Sequence, residues 1–149
     1  MPTPDNLKKY TESISKTVTA LGQTTDSIDS KIKELVTVLT AVNSGLLSSE
    51  TKVNAALNNI GKGKFESKSV LASYLKTLQI VDKDAESIIS KWEELKNLSI
   101  DELKRTKEYA LIQTELNNSL DELFDTKQDI TKESQDELDV QEKQLDLVS

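Results

Sequence analysis

Hydrophobic residues recur every seven positions through the N-terminal part of this chain, and that period limits what it can fold into. One series runs Leu7, Ile14, Leu21, Ile28, Leu35, Val42. The other lies four residues on, at Thr11, Val18, Thr25, Ile32, Leu39, Leu46, Val53 and Ile60. Alternating steps of three and four put both series on one stripe of an α-helix, as coiled-coil a and d positions do, whereas a half-buried strand repeats every two. Thr3 is placed to cap, Pro4 suits the first helical position, and Asp5 complements the helix dipole. The pattern therefore predicts a helix over 4–60, about 85 Å long at 1.5 Å per residue. Its phase survives Gly22 and Gly45, which favours one helix or segments nearly in line. The weakest stretch is Gly45-Leu46-Leu47-Ser48-Ser49-Glu50, where a kink or short loop fits. The Ser- and Thr-rich polar face forms helix poorly, so packing of the seam has to supply the stability.

Gly61-Lys62-Gly63-Lys64 predicts a turn at 61–64. It is not a phosphate-binding loop, because that motif needs different glycine spacing after a strand. A second helix is expected over 65–97, with Leu71, Leu78, Ala85 and Trp92 in one heptad series and Tyr74, Val81, Ile88 and Leu95 in its partner. At those seam positions Trp92 and Tyr74 read as core rather than as a ligand-stacking pair. Ser99 and Glu102 make a capping box, Leu98 and Leu103 occupy the staple positions, and Asn97 is suited to a left-handed helix end. A third helix follows over 99–124, along Leu103, Tyr109, Ile112, Leu116, Leu120 and Leu123. Beyond it, 125–149 reads as an acidic and frayed helical extension with a sparse stripe at Ile130, Leu138 and Leu145. The expected class is all-α, a long antiparallel helical hairpin or a three-helix coiled-coil bundle, in one domain spanning 1–149.

Composition removes several kinds of chemistry. The chain has no cysteine and no histidine. A thiol nucleophile, a Ser-His-Asp triad, a zinc finger and the Glu-x-x-His motif of di-iron bundles are all excluded. The acid pairs Glu93-Glu94, Asp121-Glu122 and Asp136-Glu137 are adjacent in sequence, so on a helix they diverge by about 100°. They read as solvated faces. Asp82 and Asp84 lack the glycine turn of a calcium loop. No cofactor and no metal site is expected, and neither is a small-molecule substrate.

The net charge is −7. It is unevenly placed: residues 1–60 hold six bases and six acids, 61–99 seven and six, and 100–149 six and fourteen. Net acidity argues against nucleic acid. No apolar run is long enough to insert in a membrane, and the N-terminus lacks the basic and apolar regions of a signal peptide, so a cytoplasmic, intracellular location is the default. Two Asn-x-Ser sequons, at Asn97 and Asn117, read as chance occurrences in that setting.

The expected function is that of a non-catalytic coiled-coil scaffold or adaptor subunit in a larger assembly. It would bind protein partners as a homo- or hetero-oligomer. The candidate contact residues are Leu7, Ile14, Leu21, Ile28, Ile32, Leu35 and Leu39 of the first seam, with Ile130, Leu138 and Leu145 of the acidic extension. The competing expectation for the first set is internal core. In texture the chain resembles small coiled-coil subunits of kinetochores, tethering machines or phage scaffolds, with no motif that points to one of them. Alternatives are a secreted or surface-exposed microbial helical protein, such as a translocator or host-binding rod, and a SNARE-like fusion helix. The fusion helix is the weaker of the two, because the seam has no central Gln or Arg.

Overall fold

The computed structural model describes residues 4–23 and 27–125, and those residues are helical without a strand. The all-α expectation holds, but the helices are short. The stretch 4–60 is divided among α1 (Pro4–Lys8), α2 (Thr11–Gly22), α3 (Ile28–Asn43) and α4 (Glu50–Asn58). The stretch 65–97 forms α5 (Lys68–Thr77) and α6 (Asp82–Lys96). The stretch 99–124 forms α7 (Ile100–Lys104), α8 (Lys107–Glu115) and a further helix, α9, over 119–125.

Each break has a local cause. Between α3 and α4, Gly45 takes φ +78°, the Leu46 N–H reaches back to the Ala41 carbonyl at 2.9 Å, and the Gly45 N–H reaches Val42 at 3.1 Å. Those two bonds are the Schellman closure that stops a helix. Ser49 then starts α4 by accepting from the Lys52 N–H. This loop lies where the sequence marked its weakest stretch. The break after Gly22 instead overturns the reading of a continuous phase: Gln23 N–H turns back to Ala20, and α3 begins after Ser27 in a left-handed conformation at φ +55°. Gln79 ends α5 in the same Schellman pattern, with φ +62° and Ile80 N–H bonded to the Leu75 carbonyl.

The α4–α5 connection is wider than the turn predicted at 61–64. Gly61 and Gly63 take φ +78° and +85°, and α5 waits until Ser67 caps the Val70 N–H. Phe65 does not open a helix but is buried in the core. The Ser99/Glu102 capping box is present. Asn97 is not left-handed, however; it sits at φ −85°. Two further stops were hidden in the third stretch. Thr106 caps the Tyr109 N–H, and Asn117 and Asn118 both take left-handed φ to reverse the chain into α9.

The core is organised on α3. Ile32, Leu35, Val36, Leu39 and Val42 are at most 1% exposed, and Thr37, Val38 and Ala41 are buried on the other faces, so the C-terminal part of this helix is covered on nearly every side. It packs against α1, α4, α6 and α8, while α2 lies on α4 and α5 on α6. With four helices packed on it, α3 is a central helix rather than half of a two-helix seam.

Candidate functional site

A cleft of about 490 Å³ opens between α3, the Gly61–Glu66 loop and α6. Its α3 wall is built from Ser27, Ser30, Lys31, Glu34 and Thr37, a polar stripe at helical spacing along an otherwise buried helix. Phe65 and Trp92 supply aromatic surface, and both side chains are largely buried. The loop is held down by a charge-assisted hydrogen bond, in which the Gly61 N–H donates to Glu34 Oε1 at 2.9 Å. A side chain at Gly61 would strike the Lys31 stem, since a Cβ there would lie 2.9 Å from Lys31 Cε. The positive φ favours glycine here, while the lysine stem can shift aside.

Three lysines, Lys31, Lys33 and Lys96, and one further carboxylate, Glu66, complete the lining. Lys33 donates through Nζ to the Lys96 carbonyl at 3.3 Å, tying the middle of α3 to the last turn of α6. The Lys96 ammonium lies 4.6 Å from the centre of the Trp92 ring, within cation–π range. Lys31 also lines the cleft. Burial pushes the Glu34 carboxyl above the usual carboxylate range. The Gly61 N–H and the Lys31 charge oppose that shift. A titratable group perturbed by desolvation inside a cleft marks a functional candidate. Its surroundings offer hydrogen-bond donors, positive charge and aromatic surface, which suit binding of an anionic group joined to an apolar one.

The sequence-predicted contact residues lie elsewhere. Leu7, Ile14, Leu21, Ile32, Leu35 and Leu39 are at most 5% exposed and belong to the chain's own core. Ile28 is half-buried and packs against that core. Ile130, Leu138 and Leu145 lie outside the described residues. Trp92 and Tyr74 are both buried, as expected of core residues, but Trp92 also lines the cleft. The ring facing Tyr74 is Phe65, with centroids 6.4 Å apart. Asp121, read as solvated, is half-buried and accepts from the Tyr109 hydroxyl at 2.8 Å. Sequence reasoning missed Glu34, Phe65 and Lys96. A signal for Glu34 existed in the 27-30-31-34-37 polar stripe; none pointed to the loop that covers it.

No group of three or more carboxylates fit to hold a metal ion occurs among the described residues, and no helix among them is long and apolar enough to cross a membrane. The chain matches no protein-family model, no curated protein and no solved structure.

Proposed function

We propose that this chain is a non-catalytic adaptor that holds an acidic segment of a partner protein in the cleft between α3 and α6. The observation that carries the reading is the pairing of aromatic surface, Phe65 and Trp92, with the lysine rim of Lys31, Lys33 and Lys96. Complementary charge selects partners and speeds encounter, while a buried aromatic anchor supplies affinity. The occupant is therefore an acidic peptide segment bearing one aromatic or large aliphatic side chain. The contact runs through this cleft, and the first heptad series serves the interior.

A displayed random-peptide library tests this. Selection on the wild-type chain should enrich acidic peptides with an apolar anchor, and binding should weaken as salt rises. A Lys33→Glu/Lys96→Glu double variant should lose those peptides by at least about tenfold, some 1.4 kcal/mol. Peptides that lack acidic residues, or that bind the double variant equally well, would overturn the proposal.

A further inference from the structure

We infer that the acidic extension over 126–149 docks in the cleft between α3 and α6 of its own chain, so that a partner's acidic segment gains the site by displacing it. The inference rests on the reading of that cleft as a site for an acidic segment with an apolar anchor, and it names what regulates access.

The sequence of the extension has the chemistry the cleft asks for. It carries seven acids against three bases in 24 residues. Four of the acids fall within Asp136-Glu137-Leu138-Asp139-Val140-Gln141-Glu142, where Leu138 and Val140 set aliphatic side chains among the charges. The cleft presents Lys31, Lys33 and Lys96 together with Phe65 and Trp92. Its lining also holds Glu34 and Glu66, but burial favours the neutral form of Glu34, so the lysines outweigh them. A groove between α2 and α4 also offers two lysines, Lys16 and Lys62. It has no aromatic residue, and Lys16 already pairs with Glu12 at 3.6 Å.

Reach follows from where the described chain stops. Leu123 of α9 packs beside Gly22 at the end of α2, since a Cβ on Gly22 would lie 3.6 Å from Leu123 Cδ1. Gly22 is five residues ahead of Ser27, which lines the cleft, so at most about 18 Å separates the two. Phe124 meets Lys104 of α7, 5.0 Å from ammonium to ring centre, and α7 also brings Glu102 within electrostatic range of Lys33. The last described residues thus lie close to elements that border the cleft. From Asp125 to Asp136 the chain spans up to about 38 Å at full extension, which carries the acidic run to the cleft's edge. A segment tethered on the same chain competes at an effective concentration on the order of millimolar, so even a weak contact holds off a dilute partner.

The chain has no cysteine and one tryptophan, Trp92, which lines the cleft. A nitroxide attached to the full chain through Gln141→Cys should therefore broaden the Trp92 indole N–H resonance, relative to the same chain with the nitroxide reduced. The broadening should persist on dilution and fade as salt rises. Asp136→Asn/Glu137→Gln/Asp139→Asn, which neutralises the acidic run, should remove it, and Lys33→Glu/Lys96→Glu should do the same. Library-selected acidic peptides should bind the neutralised chain at least about tenfold more tightly than wild type, because the tethered competitor is lost. A sharp Trp92 signal, with acidic peptides binding both chains equally, would overturn the docked extension and leave the reading of the cleft intact. Acidic peptides that bind neither chain, with Trp92 sharp, would overturn both. Broadening at Lys16 and Lys62 in place of Trp92, or only between chains in a mixture of labelled and spin-labelled protein, would move the extension to another surface or another copy and would also overturn the inference.

Discussion

Glu34 is a carboxylate whose burial works against its charge. Its carboxyl is pushed upward by burial, so the folded chain takes up a proton there at a higher pH than the unfolded chain does. Stability then falls as pH rises through that window, because the native state holds the extra proton below it. Replacing Glu34 by Gln keeps an acceptor for the Gly61 N–H and removes the charge that burial penalises. Glu34→Gln should be more stable than wild type at pH 7, and the difference should vanish as pH falls below the carboxylate range. Glu102 and Glu108 shift the other way, Glu102 chiefly through hydrogen bonds with Ser99 and Glu108 chiefly through its bond to Lys91, so their stabilisation is lost on acidification. They are common to both chains, and urea titrations of the pair at pH 7 and pH 4 isolate the Glu34 effect. A variant less stable than wild type at pH 7 would show that the charge is held by Lys31 and Gly61 more strongly than burial opposes it.

At the scale of the element, what decides this fold is where helices stop. Gln79 closes α5 with φ +62°, in a region that costs an L-residue with a side chain about 1–2 kcal/mol. Two residues on, Val81 precedes α6 in extended conformation with no side-chain cap, and is 63% exposed. Gln79→Gly should raise stability by about 1 kcal/mol by relieving the strain, less the added freedom of glycine in the unfolded chain. Val81→Ser should add about 1 kcal/mol by capping the α6 N-terminus. The sites are two residues apart, so their effects need not add, and a double-mutant cycle by chemical denaturation measures the coupling. No gain from Val81→Ser would mean that the α6 N–H groups are already served by water as well as by a hydroxyl.

These stops also explain what the sequence showed and what it hid. Apolar spacing, the Ser99/Glu102 box and the Gly45 break were legible because each is a local pattern with a local cause. A heptad series reports only that a stripe is buried, and Ile32, Leu35 and Leu39 are buried here by several short helices rather than by one long partner. Left-handed Gln79 and Ser27 left no trace, since neither residue type advertises that conformation. Asn117 and Asn118 were the recoverable miss, because paired asparagines tolerate it. The cleft was half legible: the polar stripe of α3 is periodic, but Phe65 and Lys96 reach the site through tertiary packing.

For the whole molecule, the arrangement around α3 separates two roles that the heptad pattern had merged. If the seam residues form the interior, their loss must damage folding first and association second. Leu35 is fully buried on α3, and Leu35→Ala should cost about 3 kcal/mol through lost burial and the cavity left behind. Ile32→Asp places an unpaired charge at a site of 0% exposure and should abolish the folded state. Lys33→Glu/Lys96→Glu acts on the rim, although Lys33 adjoins Ile32 in sequence, so it should keep wild-type helicity while losing acidic peptides. Circular dichroism and light scattering on the three variants read the two properties apart. The decisive comparison is Ile32→Asp. Retained helicity with loss only of association would make the seam an intermolecular surface, and would move the partner contact from the cleft to α3 itself.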